Sequence, residues 1–272
     1  MLRKPRTPPH LPFLSGEPDF APNMKPIAPE QWVMPDTEAG LWLNNKRLLM
    51  KLMRDQVSAG DLDGQAAQEL LYKLIEETGE IPSQNMPTAL EEAASLVSDD
   101  LCILVEDRPG DWRLSAGVLC APTYWRLPER IGLDLGGLHG PVPGGDPGLS
   151  ARIGRIFTGL RPGRVLERFN WTVQVSGERF TPERPSIAGA SVQDLYLRVE
   201  RQTVRKLIHS RAVVFTIRIC TDPLVPILEN PEWREAFEDS WIGAPETVRR
   251  YKGWDELEPL VRGACRGAAF AL

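Results

Sequence analysis

A chain of 272 residues with 42% hydrophobic and 25% charged side chains carries enough apolar surface to build a substantial core. A net charge of −5 excludes nucleic acid as the main partner, because phosphate binding needs a concentrated cationic face, and the one terminal basic cluster, Arg3, Lys4 and Arg6, reads as a solvated tail. No run approaches the roughly 18 apolar residues of a membrane span, and the start lacks the apolar region of an export signal, so the expectation is a cytoplasmic protein with no membrane partner.

Residues 1–40 carry Pro5, Pro8, Pro9, Pro12, Pro18, Pro22, Pro26, Pro29 and Pro35, a density that breaks helices and interior strands. An extended arm wrapping the surface is expected there. Residues 41–100 read as an N-terminal helical extension. Leu41, Leu48, Leu49, Leu52, Met53 and Val57 recur at helical spacing, as do Ala66, Leu70, Leu71, Leu74 and Ile75 before the stop at Gly79. Thr88-x-x-Glu91 opens a third helix with a capping-box pattern. The acidic pairs Glu76-Glu77, Glu91-Glu92 and Asp99-Asp100 read as solvated helix ends.

Residues 101–222 read as a sheet-based core. Leu101–Glu106 and Trp112–Cys120 flank the turn Asp107-Arg-Pro-Gly-Asp111. A Pro/Gly-rich loop follows, with a helix from about Leu149 to Leu160, and then strands over Glu167–Val175, Asp194–Gln202 and Ala212–Cys220. Residues 223–272 are expected to be a C-terminal helical extension, with helices starting near Pro231, Ala244 and Trp254. The fold class is therefore α+β: a PAS-like five-stranded antiparallel sheet with a helical crossover, between helical extensions, all in one compact unit.

Cys102, Cys120, Cys220 and Cys265 are dispersed and form no CxxC pair, so they read as reduced core thiols. An iron–sulfur cluster needs several thiolates together, so any such cofactor would sit on another chain.

Several segments occur in an order that resembles one family. They are Met24-Lys-Pro-Ile-Ala-Pro-Glu-Gln-Trp32, Ala121-Pro-Thr-Tyr-Trp125, Arg130-Ile-Gly132, Leu138-His-Gly-Pro-Val-Pro143, Arg168-Phe-Asn-Trp171, Leu197-Arg-Val-Glu-Arg-Gln202, Phe215-Thr-Ile-Arg218 and Tyr251-Lys-Gly253. The series resembles the heme-dependent oxidative N-demethylases. The resemblance implies a PAS-type subunit with b-type heme that uses O2 to oxidise a small secondary amine such as dimethylamine. It also implies electrons from NADPH through a separate reductase subunit holding FMN and a 2Fe-2S cluster, and a tetrahydrofolate-binding subunit that takes the released one-carbon unit.

Of the three histidines, His10 lies in the arm and His209 in a short basic connection. His139 lies in the crossover, where the resemblance implies the proximal iron ligand. A lone histidine in a Gly/Pro loop is otherwise structural or exposed. On the sheet, alternation suggests one face carrying Asn170, Arg198, Glu200 and Arg218. The plain reading is a surface ladder of ion pairs. The chemical reading gives Arg218 the oxygen side and Glu200 the amine as catalytic residues, with Arg198 and Arg201 orienting Glu200 or binding heme propionates. Asn170 and Trp171 complete the cofactor contacts, although Trp125, Trp171 and Tyr251 are residue types that more often pack in a core. Alternation leaves open which face meets the cofactor. The competing function is a non-catalytic heme or small-ligand PAS sensor or an interaction subunit.

Overall fold

The structure is a computed structural model that describes residues 7–34, 39–83 and 85–270. Pro5, Pro35 and the Arg3, Lys4, Arg6 cluster fall outside these residues. A single antiparallel sheet organises the chain. Its strands are β1 (Lys25–Ile27), β2 (Ser58–Gly60), β3 (Asp100–Arg108), β4 (Asp111–Val118), β5 (Val165–Gln174), β6 (Tyr196–Lys206) and β7 (Val213–Pro223), in the spatial order β1-β5-β6-β7-β3-β4-β2. The five expected strands are all present, but among the described residues the sheet has seven. The additions are three-residue edge strands. One carries Pro26 beside β5, where a missing N–H is tolerated, so the arm does contribute a strand. The other continues past a four-residue helix, α2 (Arg54–Val57), to pair with β4.

Before β3 come α1 (Ala39–Leu52), α3 (Gln65–Thr78) and α4 (Ala89–Leu96). The last is capped as the sequence suggests: the Thr88 hydroxyl accepts from the Glu91 N–H at 3.4 Å and donates to the Glu91 carboxylate at 2.7 Å. The acidic pairs depart from expectation. Glu91, Glu92, Asp99 and Asp100 are buried, because each finds donors. Arg54 binds Glu91, Ser83 and the Met86 N–H bind Glu92, and Asp100 receives the N–H groups of Cys120 and Ala121 at 2.8 and 2.7 Å. The stripe read over residues 41–57 holds only in part. Leu49 packs against the core and Val57 is fully buried, but Leu41, Leu48 and Leu52 are 60%, 53% and 68% exposed, and Trp42, Lys46 and Met50 face inward instead.

Between β4 and β5 the crossover holds α5 (Leu135–His139) and α6 (Ser150–Gly159). After β7 come α7 (Leu224–Leu228), α8 (Pro231–Gly243), α9 (Glu246–Lys252) and α10 (Trp254–Phe270). No helix among the described residues is long and apolar enough to cross a membrane. One sheet face carries Trp171, Val173, Leu197 and Val199 into a cluster with Phe13 of the arm and Phe237, Trp241 and Trp254 of the C-terminal helices. The four cysteines are buried and free.

Candidate functional site

The opposite sheet face meets the crossover across a cavity of about 430 Å³. That volume lies in the range of ligand pockets, about 300–1,000 Å³. The floor comes from the strands: Leu104 of β3, Leu114 of β4, Arg168 and Asn170 of β5, Glu200 and Gln202 of β6, and Phe215 and Ile217 of β7. The crossover supplies Leu135, Leu138, His139, Ile153 and Phe157. The register accounts for the shared face, since Asn170 stands opposite Glu200, and Gln202 stands opposite both Arg168 and Ile217. A mostly apolar cleft with a few converging polar groups is the usual form of a small-molecule site.

His139 is the histidine that lines this cavity. It ends a short helix rather than sitting in an irregular loop. Asp134 caps that helix, its carboxylate accepting from the Gly137 N–H at 2.7 Å. Nδ1 of His139 lies 2.8 Å from the Leu135 carbonyl, and a carbonyl can only accept, so Nδ1 carries the proton and Nε2 keeps its lone pair. Burial, reinforced by the nearby Arg168 charge, lowers the imidazole pKa against the opposing Leu135 contact, so the ring is neutral. A neutral imidazole whose far ring nitrogen is held by a backbone carbonyl is how a histidine presents itself to a metal. The glycines around it have a spatial reason: a Cβ on Gly145 would lie 1.9 Å from the His139 carbonyl oxygen. His10 packs instead on Phe169, and His209 sits in the exposed β6–β7 turn.

On the floor, Glu200 accepts from the Thr123 hydroxyl, from Asn170 Nδ2 at 3.2 Å and from Gln202 Nε2 at 2.7 Å. Lys252, the last residue of α9, donates from Nζ to Asn170 Oδ1 at 2.7 Å and to the Trp171 carbonyl at 2.8 Å. Burial lowers the pKa of this lysine to about 8, although the Glu200 charge pulls it upward. Arg168 projects into the same cavity, and its buried Nε has no hydrogen-bond partner.

The structure gathers Asn170, Glu200 and His139 and disperses the other expected site residues. Arg218 stands across from Arg201, on the face away from the cavity, where it pairs with Asp99 at 3.2 Å; the register pairs Glu200 with Ile219 instead. Arg201 on that same face binds Glu167 and the carbonyls of Gln31 and Trp32, so it holds the arm and not a cofactor. Trp171 is buried in the aromatic cluster beyond the sheet. Arg198 shares the cavity face but is fully buried, donating to the carbonyls of Ala121, Pro122 and Arg179 and, from Nε, to the Thr123 hydroxyl at 2.9 Å. Thr123 in turn donates to Glu200, so Arg198 is linked to that carboxylate through one hydroxyl. Trp125 and Tyr251, expected as core, line the cavity.

Arg168 and Lys252 were missed, although both lie inside quoted motifs. Period-two alternation puts Arg168 beside Asn170, which could have singled it out. Lys252 carries no such signal, because a helix end reaches the site only through tertiary packing. The donor set fits heme: one oriented imidazole nitrogen suits an iron already ligated by its macrocycle, and a half-buried guanidinium whose Nε lacks a partner suits a propionate carboxylate. A family model described as haem-dependent oxidative N-demethylase, alpha subunit-like, matches residues 30–262.

Proposed function

The chain belongs to the haem-dependent oxidative N-demethylase alpha subunit-like family, and from that premise we propose that it is a heme monooxygenase subunit that oxidises an N-methyl group of a small secondary amine such as dimethylamine. Heme, when bound, supplies the oxygen-activating iron. His139 would hold that iron from the crossover side, with its tautomer set by Leu135. Arg168, rather than Arg218, lines the cavity from the sheet and would bind the propionates. Glu200 binds the substrate ammonium and thereby turns an N-methyl group toward the centre of the cavity. The apolar crossover side chains exclude water, which strengthens that charge pairing.

A PAS-like scaffold is supported by the order β5-β6-β7-β3-β4 of the central strands and by the insertion of α5 and α6 between β4 and β5. Electrons would come from a separate reductase subunit with NADPH, FMN and a 2Fe-2S cluster, and a tetrahydrofolate-binding partner would take the one-carbon product. The separate burial of this chain's four cysteines supports that division of labour.

The observation that carries the proposal is the His139 ring, held at Nδ1 by the Leu135 carbonyl, on the wall of a cavity whose floor holds Glu200. The test begins with the absorption spectrum of the protein expressed with heme supply. A Soret band is expected, and His139→Ala should abolish or strongly shift it; an unchanged band in the variant would reject this ligand. Formaldehyde release from dimethylamine with a surrogate reductant then tests the reaction. Tight heme binding without product from any small secondary amine would reject the demethylase assignment.

A further inference from the structure

Glu200 is a buried carboxylate whose hydrogen-bond donors, Thr123, Asn170 and Gln202, are all neutral side chains. Two buried cations stand one side chain further out. Arg198 Nε donates to Thr123 Oγ1, so the Thr123 hydroxyl proton must point at Glu200. Lys252 Nζ donates to Asn170 Oδ1, so the amide is turned with Nδ2 toward Glu200. A carboxylate accepts at about four lone-pair sites. Asn170 and Gln202 fill both on Oε2, and Thr123 fills one on Oε1, which leaves a single acceptor on Oε1.

We propose that Lys252 is a positioning residue for Glu200: acting through Asn170, it fixes the carboxylate's orientation, so that the open Oε1 site receives one N–H of a protonated secondary amine. The inference rests on the reading of Glu200 as the amine anchor. Its physical basis is that, among the described residues, no cation hydrogen-bonds the carboxylate directly. A contacting lysine or arginine would neutralise Glu200 and compete with the substrate ammonium. A cation held behind a neutral amide orients the carboxylate's donors and leaves its cavity side open.

The Lys252 ammonium is itself held in place. Its carbonyl and that of Tyr251 accept from the Arg184 guanidinium, and Gly253 ends α9 in the left-handed region at φ 67°. A Cβ at Gly253 would collide with Arg184, so the turn requires glycine. The charged and titratable groups that bear on this pair are Arg168 from β5, Arg184 from the connection after β5, Arg198 from β6, and Tyr124 and Tyr251 at the cavity wall; the ring of Trp254 from α10 packs 5.9 Å from Nζ.

The test is the affinity of the heme-loaded protein for dimethylamine, measured by titration calorimetry near neutral pH, with the Soret band as the check on folding. In Lys252→Met the affinity should fall about tenfold, because Asn170 is no longer held with its N–H groups toward Glu200. Lys252→Arg should restore the wild-type affinity. Lys252→Gln replaces the methionine variant if that one does not fold, and should show the same loss. A wild-type affinity in Lys252→Met or Lys252→Gln would overturn the role of Lys252. Glu200→Gln separates the two levels: if it binds the amine as well as the wild type, the anchor assignment itself fails, whereas its loss of binding beside an unaltered Lys252 variant rejects only the present inference.

Discussion

Arg198 and Arg218 lie two strands' worth of sequence apart and carry the same charge, yet their surroundings give them different tasks. Arg198 turns its guanidinium onto the carbonyls of Ala121, Pro122 and Arg179 and onto Thr123, joining the start of the crossover to β6. Arg218 pairs with Asp99 on the far side of the sheet. Removing one partner of a buried pair leaves the other charge uncompensated, at a cost of about 3–5 kcal/mol. Arg218→Met should therefore lower the urea-unfolding free energy by about that much while leaving the heme spectrum and amine affinity unchanged. A variant of normal stability with weakened oxygen or amine chemistry would return Arg218 to the site. Alternation in the sequence correctly sorts neighbours within β6 and within β7, but it does not relate one strand to the next. The β6–β7 turn sets the register that puts Arg218 opposite Arg201, and a slip of one residue would have put it opposite Glu200.

Elements were legible where the local pattern decides them and illegible where a distant partner does. The expected Trp112–Cys120 strand runs from Asp111 to Val118, and Thr88 caps the helix it was expected to cap. The inward face of α1 was misjudged because Lys46 occupies it. Its ammonium donates to the carbonyls of Val97 and Asp99 at 2.9 and 2.6 Å, partners supplied by a segment some fifty residues away that no helical period displays. The same junction yields a pH dependence. Asp100, which holds the Cys120 and Ala121 N–H groups where β4 passes into the crossover, is raised by burial to about 6 from 3.8, although Lys46 and those two donors oppose the rise. Between these values the folded state holds a proton that the unfolded chain has lost, so stability falls as pH rises from about 4 to about 6. Two pH units of separation bound the effect at about 3 kcal/mol. Asp100→Asn should flatten this decline in urea-unfolding free energies measured across the window; an unchanged slope would mean that Asp100 does not carry it.

At the scale of the whole molecule, the arm is more than a surface wrap. It stitches the two hydrophobic clusters together. Trp32 is buried in the cluster that includes the N-terminal helices and the crossover, its indole N–H donating to Thr203 Oγ1 at 3.1 Å. Phe13 is buried in the other cluster, edge-on to Trp171 and Phe237, with Ser240 donating to the Gly16 carbonyl behind it. The proline density of the arm predicted its extended backbone but concealed its anchoring, because single aromatic residues in such a segment show no period. The anchor also positions the site at one remove: Phe13 packs on Trp171, whose carbonyl receives Lys252, and Asp19, Phe20 and Met24 of the arm line the cavity. Phe13→Ala should cost about 3–5 kcal/mol of unfolding free energy, as for other buried phenylalanines. Loosening of the arm should also weaken amine binding, with the heme band retained. A truly superficial arm would give a loss below about 1 kcal/mol in urea unfolding, as surface substitutions do, and unaltered amine affinity.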